Sequence, residues 1–342
     1  MITFKRLISA AAFLTLAAIV SGCGQPEQQQ IDGKTMGTYY SIKYVSSLPV
    51  SRTATIKSEI DMRLERINHQ MSTYRSDSEI VLFNESRQIN RPIPVSPETV
   101  LVVNEAIRIA GLTEGGLDIT AGPLVNLWGF GPTQMAEIAP PSAQDIQLRL
   151  SWSGLDKLKV EPRALIKTIP QLTLDLSAIA KGYGVDVIAD YLESIGIDNY
   201  LVDIGGEVRA KGKNQGGKIW RIAIEKPTSG LQQQVQRIIE VHNVSVATSG
   251  DYRNYFDANG TRYSHTIDPK TGYPIQNDIA SITVIASSCM TADGLATGLG
   301  VLGADKAIDI ADKLDLAVFI VNHAENGFQE RYSKAFKRDY IN

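Results

Sequence analysis

The sequence predicts an α+β fold in which mixed and antiparallel sheets pack against helices. Three observations carry that prediction. Short β-like runs and long amphipathic helices mix along the chain without strict strand–helix alternation, which disfavours a doubly wound parallel sheet. Several strand runs are joined by glycine turns, as in "DIGGEV", the signature of hairpins. After residue 31 no linker divides the chain into independent parts.

At 342 residues, 43% hydrophobic and 21% charged, the chain is long and apolar enough to bury a sizeable core. Lys and Arg number 34 against 37 Asp and Glu. Without a basic surplus, nucleic acid is excluded as the main partner.

The first 22 residues read as a signal peptide. Lys5 and Arg6 precede an apolar stretch from Leu7 to Val20, and small residues lead to Cys23. That stretch is shorter than the ~20 residues a spanning helix needs. "VSGC" resembles a bacterial lipobox, which makes Cys23 the lipidated first residue of an exported, membrane-anchored protein facing the periplasm; the alternatives are a plain secretory signal or a short anchor with an unmodified cysteine. Gly24, where an Asp would favour retention at the inner membrane, tilts the destination towards the outer one. Cleavage before Cys23 removes two basic residues and no acid, taking the net charge from −3 to −5. The only other cysteine is Cys289, so a lipidated Cys23 leaves no intramolecular disulfide. Residues 23–31 are polar and aperiodic and read as a tether. The folded domain is then 32–342.

Within that domain, "MGTYYSIKYV" (36–45) alternates and is a strand. Ile56, Ile60, Leu64 and Ile67 give Ser51–Ser72 a helical period, and Ser78–Asn84 is a short helical turn. Glu98–Leu112 is a helix with Ser96 as N-cap and Pro97 at its first position. "AGPLVNLWGFG" reads as a loop rich in Gly, Pro and aromatics, and "SAQDIQLRLS" as a helix start. "KLKVEP", "ALIKTI" and "LTLDLS" are β-like, and "AIAKGYGVDVIADYLESIG" is a long amphipathic helix. "NYLVDIGGEVRAKG", "WRIAIEKP" and "QRIIEVHNVSVATSG" supply further strands. "SHTIDPKTGYPI" is a turn-rich loop, and "IASITVIASS" is a strand feeding the helix "MTADGLATGLGVLG". A last helix, Asp305–Leu314, and the strand "AVFIVNH" follow.

Neither common nucleotide loop occurs, H-E-x-x-H is missing, and only four histidines exist. The candidate chemistry lies elsewhere. Asp293 and Thr297 are four apart, so a helix points both from one face. A carboxylate and a hydroxyl are hard oxygen donors that suit Mg²⁺ beside a substrate phosphate. Alternatively Thr291 is an N-cap and Asp293 balances the helix dipole from the first turn. Gly294, Gly298 and Gly300 in the same helix imply that a backbone or a ligand comes close. In "LDLSAIAKGYG", Ser177 caps a helix whose start offers free N–H groups to an anion. Lys181 sits against the dipole there, either to meet a phosphate or as a snorkelling surface lysine. His265 precedes Asp268 by three in a turn-rich loop. It is either a general base with a nearby carboxylate or part of plain turn chemistry. "DIGGEV" and "TSGDYRNYF" read equally as turns or as backbone approaching a ligand, and Arg253 as a surface charge or a phosphate contact. Together these point to an exported, Mg²⁺-dependent handler of a nucleotide-like cofactor.

A larger pattern runs through the same residues. "MGTYYS", "MSTYRSDSEIVLFN", "GGLDITAGPLVNLWGFG", "LDLSAIAKGYGVD", "DIGGEV", "SGDYRNYF", "HTIDPKTGYPI" and "TADGLATGLGVLG" occur in this order. From Met36 to Gly303 the chain resembles the FAD:protein FMN transferases, the ApbE-type flavin-transferase lipoproteins. The resemblance implies a T-fold-related catalytic domain that cleaves FAD and leaves FMN esterified to a Thr or Ser of an acceptor protein, with AMP released. It implies acceptors among subunits of membrane redox complexes of the NADH:quinone reductase or Rnf type. It places Mg²⁺ on Asp293, Thr297 and a backbone oxygen of Ala178. It places FAD on Met36, Tyr74, Gly116, Leu117, Asp118, Asp175, Lys181 and Ile267, and makes His265 the base. Tyr74 stands where some relatives carry Trp, and either ring offers a stacking face. An FAD pyrophosphatase yielding FMN and AMP, or a flavin-binding lipoprotein without catalysis, would use the same residues.

Overall fold

The computed structural model describes residues 26–132, 139–227, 234–250, 255–258, 261–325 and 327–341. The signal peptide, Cys23 and Arg253 lie outside the described residues. The chain opens with the hairpin β1 (Glu27–Thr35) and β2 (Thr38–Ser46). Helices α1 (Thr53–Met71) and α2 (Glu79–Glu85), strand β3 (Ile93–Pro94) and helix α3 (Pro97–Leu112) follow. Next come α4 (Gly122–Leu127), α5 (Ala143–Leu150), β4 (Leu158–Glu161) and β5 (Ala164–Lys167). Helix α6 (Ala180–Ser194) leads into β6 (Tyr200–Ile204), β7 (Glu207–Lys211), β8 (Trp220–Glu225), β9 (Val235–Val241) and β10 (Val244–Gly250). The short hairpin β11 (Tyr255–Ala258) and β12 (Thr261–Ser264) precedes β13 (Ile279–Ala286) and α7 (Cys289–Val301). The chain closes with α8 (Ala304–Lys313), β14 (Ala317–Ala324), β15 (Gly327–Tyr332) and α9 (Lys334–Tyr340).

Eight strands form one sheet in the order β1-β2-β6-β7-β10-β13-β14-β15. Every neighbouring pair in it is antiparallel. The α+β expectation therefore holds, with the large sheet wholly antiparallel. Strands β10, β13 and β14 are covered on both faces. In β14, Val318 and Ile320 join one core with α3 and α7, while Phe319 and Val321 join another with α9 and the β8–β9 hairpin. Near-continuous burial along β13 follows from that two-sided cover. Helices α1 and α6 pack with β1, β2 and β6 in a third cluster.

Three local expectations change. The tether does not reach Ile31: β1 begins at Glu27 and pairs with β2 from Glu27–Ser46 onward. Gln28 and Gln30 face outward on an edge strand while Ile31 is buried, so a polar run serves as a strand. Segment 172–176 is not a strand. The Asn84 side chain brackets Leu174, donating to its carbonyl at 2.9 Å and accepting from its N–H at 2.7 Å, and the Asp175 N–H bonds Ile119 O. A side chain and a loop thus satisfy backbone that a ladder would otherwise pair. The Gly/Pro/aromatic loop contains a helix, α4, with Pro123 near its start where a missing N–H costs nothing.

Helices α6 and α7 cross at Gly182. A Cβ there would lie 2.3 Å from the Cys289 carbonyl oxygen and 2.8 Å from Asp293 Cβ. Gly182→Ala is therefore expected to prise the helices apart and destabilise the fold by about 1–3 kcal/mol. Urea unfolding checks this, and an unchanged midpoint would contradict the contact.

Candidate active site

Ser288 is the N-cap of α7, its Oγ accepting from the Thr291 N–H at 3.2 Å. The helix thus starts before Thr291, and Asp293 is an interior residue, not a first-turn acid. The residue is 6% exposed, and a carboxylate so buried demands a partner. The partner is the Gly182 N–H, which donates to Asp293 Oδ2 at 2.9 Å. The α7 glycines answer to protein: a Cβ on Gly294 would meet Ile109 at 2.7 Å, and one on Gly116 would meet Gly298 O at 2.2 Å.

A second carboxylate fixes the helix pair. Asp186 on α6 accepts from the N–H groups of Cys289 and Met290 at 3.0 and 2.9 Å and from Ser288 Oγ at 2.8 Å. Arg209 on β7 approaches the same carboxylate at 3.0 Å. Asp186 thereby satisfies amides that a helix start leaves unpaired and balances the dipole there.

Lys181 is the second residue of α6. Its Nζ lies 2.6 Å from Glu207 Oε1. Glu207 opens β7 directly after a two-residue turn, Gly205–Gly206, with φ of 64° and 100°, the geometry glycine allows in tight hairpins. Burial pushes the Glu207 and Asp293 carboxyls up, against the pull of the shared Lys181 ammonium. Lys181 keeps its charge despite burial because Glu207 and Asp293 flank it.

These groups line one cavity of about 1010 Å³. Tyr74, Gly116, Leu117, Asp118, Asp175, Ala178, Lys181, His265, Ile267, Asp293 and Thr297 all contribute to its wall. Tyr74 is 72% exposed at the rim. Asp118 accepts from the Thr120 N–H and hydroxyl at 2.8 and 2.6 Å, and burial raises its pKa. Asp175 accepts from the Ser177 N–H at 2.9 Å, so the aspartate rather than Ser177 makes the polar turn before α6. At one end of the cavity Phe130 lies edge-on to His265 with ring centroids 6.3 Å apart. Phe130 belongs to an aromatic group with Phe256, Trp128 and Tyr263.

A profile of the ApbE family matches residues 36–320. The chain belongs to the ApbE family. It is 51% identical to the FAD:protein FMN transferase of Vibrio cholerae over 97% of each chain. The protein of that name from Haemophilus influenzae is 48% identical over 98% of each. The solved flavin transferase ApbE from Vibrio cholerae superposes with a TM-score of 0.85 at 50% identity, covering 92% of this chain and 99% of that one. The apo flavinyl transferase ApbE of Pseudomonas stutzeri gives 0.84 at 38% identity, over 93% and 98%.

Within this ApbE-family fold, Met36 departs from the expected site. It is not part of the cavity wall. It occupies the turn after β1 with φ 49° and packs its methyl against Gly184 of α6. Asp268 departs as well. Its carboxylate accepts from the Lys270 N–H and the Thr271 hydroxyl within its own turn, at 2.9 and 3.1 Å, so turn chemistry accounts for it. Glu207 is the group that sequence reasoning passed over. Its signal was an acid directly after a Gly-Gly turn, at the inward start of a strand.

Removing the Asp186 carboxylate would leave the Cys289 and Met290 N–H groups unpaired, while Arg209 keeps Asp190 and Glu193 as partners. Asp186→Ala is expected to cost about 1–3 kcal/mol, the usual penalty for leaving buried donors unsatisfied. Denaturant unfolding measures it, and a loss below about 1 kcal/mol, the worth of an exposed pair, would contradict the clamp.

Proposed function

We propose that this chain transfers FMN from FAD to a Thr or Ser hydroxyl of an acceptor protein, forming a phosphoester and releasing AMP, and that it requires Mg²⁺. The observation that carries this reading is that Asp293, Thr297, Lys181 and His265 line one cavity. The family membership and the names of the relatives support the same chemistry.

The residues present fit a divalent cation. The wall carries six acidic residues, of which Glu207 and Asp293 flank the Lys181 ammonium, and one buried Glu207 oxygen has no hydrogen-bond partner among the described residues. Among the described residues no three His, Cys, Asp or Glu gather as a metal cluster. Mg²⁺ asks for only one or two carboxylates with waters and phosphates completing its shell. Asp293, Thr297 and a main-chain oxygen of Ala178 would hold it, and the ion would neutralise diphosphate charge.

The protein's own groups do the rest. Lys181 faces the diphosphate from α6, and Glu207 and Asp293 keep its ammonium charged. Tyr74 offers an aromatic face at the rim, and the 116–118 segment contributes to the wall. His265 accepts the proton of the acceptor hydroxyl as its oxygen attacks the FMN phosphorus. The bond from that phosphorus to the oxygen bridging to AMP breaks, and AMP departs. Phosphoryl transfer of this kind needs positioning and charge neutralisation more than covalent help from the enzyme.

The reading extends to cellular setting. The acceptors are flavin-bearing subunits of membrane redox complexes of the NADH:quinone reductase or Rnf type. A lipid on Cys23 holds the domain at the periplasmic face of a membrane, with Gly24 favouring the outer one. The "VSGC" sequence and the apolar segment before it support this placement.

The test is in-gel flavin fluorescence of a denatured acceptor domain after incubation with FAD and Mg²⁺. A fluorescent band is expected, whereas free FMN without a band would indicate hydrolysis by water instead. Asp293→Ala is expected to abolish the band, and retained transfer would contradict a cation role. His265→Ala is expected to slow transfer by about 10²–10⁴-fold, the range for a lost general base, while FAD still binds. Lost binding with an unchanged rate per bound FAD would instead make His265 structural.

A further inference from the structure

Glu207 is used so far only to hold Lys181, yet its geometry offers more. The residue is 2% exposed. One oxygen, Oε1, meets Lys181 Nζ at 2.6 Å. The other, Oε2, is buried with no hydrogen-bond partner among the described residues. Glu207 also lines the same cavity as Asp293 and Thr297. Buried acid oxygens are rarely left unpaired, and one that is calls for an explanation such as a water or an ion.

Non-covalent contacts through α6 connect Glu207 to the proposed cation seat. Glu207 grips the side chain of Lys181, and the next residue, Gly182, gives its N–H to Asp293 Oδ2 at 2.9 Å. The two carboxylates are thus joined through consecutive residues of α6. The Gly205–Gly206 turn sets Glu207 opposite Ile204 at the head of β7, so the acid sits on the rigid sheet rather than on a loop. Glu207 and Asp293 flank one ammonium, that of Lys181, and a further cation beside them would offset the cost of ionising two buried acids together.

We propose that Glu207 is the second carboxylate of the cation site: Oε1 holds Lys181 while Oε2 accepts a hydrogen bond from water in the cation's shell. The inference rests on the cation reading above. Mg²⁺ dehydrates reluctantly and keeps several waters, so an acid that binds through water suits it. Carboxylates in this role orient the waters and ligands of a metal, and their loss typically costs 10–100-fold in metal affinity. Glu207 is then a positioning residue that couples the lysine and metal halves of the site. The same carboxylate keeps the ammonium that meets the diphosphate and the cation that neutralises it at a set separation.

The experiment is Mn²⁺ binding to the purified chain without FAD, followed by electron paramagnetic resonance at pH 8, for wild type, Glu207→Gln, Lys181→Met and Asp293→Ala. Glu207→Gln keeps the volume and both polar atoms, and thermal melting confirms its fold. It is expected to weaken Mn²⁺ about tenfold or more. Lys181→Met removes the competing positive charge and is expected to bind Mn²⁺ at least as tightly as wild type. Glu207→Gln binding within twofold of wild type would overturn the proposal. Equal weakening in both variants would also overturn it, because Glu207 would then serve only to place the lysine. Should Glu207→Gln fail to fold, Lys181→Met decides, and weaker binding there rejects the proposal. Failure of the underlying reading looks different: wild type that binds no Mn²⁺, or Asp293→Ala that binds as well as wild type, overturns the cation site itself.

Discussion

The structure turns on a buried carboxylate at the crossing of two helices. Asp293 is inside α7 and nearly inaccessible, and its hydrogen bond from Gly182 crosses to α6. A carboxylate in that position is tolerable only where donors and positive charge are fixed around it. Gly182 makes the approach possible because any side chain there would strike the Cys289 carbonyl. Asp186 secures the same crossing from the other direction by capping α7 from α6. The two helices therefore behave as one unit, with an acid of each reaching the other's backbone.

From that unit the rest of the site follows. The start of α6 carries Lys181, and the adjacent β7 supplies Glu207. The antiparallel sheet fixes β7 between β6 and β10. On the opposing side, α3 and the segment after it close against the glycine face of α7 and bring Gly116 to Asp118 to the wall. The loop 264–274 brings His265 and is tied to α4 where Trp128 Nε1 donates to Gly272 O at 2.8 Å. Asp293, Lys181 and Glu207 thus sit on helices and sheet, while the group assigned to proton transfer sits on a loop tied to a buried tryptophan.

Much of this was legible in the sequence wherever the signal is local. Ser96 and Pro97 announce α3, and both the cap bond and the helix are there. The four-residue spacing of Asp293 and Thr297 puts them on one face, and both reach the cavity. What was not legible depends on distant partners. Leu172–Leu176 has a strand-like composition, but Asn84, ninety positions away, takes its hydrogen bonds. Glu27–Ile31 is polar enough to pass for a tether, yet β2 pairs with it. Ser177 has the chemistry of a cap, but the neighbouring Asp175 makes the turn. Glu207 looked like one more acid beside a turn, because no local pattern reveals that Lys181 lies across from it. Asp268 showed the reverse, a suggestive neighbour of His265 whose oxygens are spent within its own loop.

The central claim is that the α6–α7 crossing seats a cation next to the diphosphate of the flavin dinucleotide. A crystal grown with Mn²⁺ and FAD, with Mn²⁺ located by anomalous scattering, tests it most directly. The account predicts one strong peak within bonding distance of Asp293 and Thr297, with the diphosphate between it and Lys181. A peak elsewhere in the cavity, or a diphosphate bound away from Lys181, would contradict it.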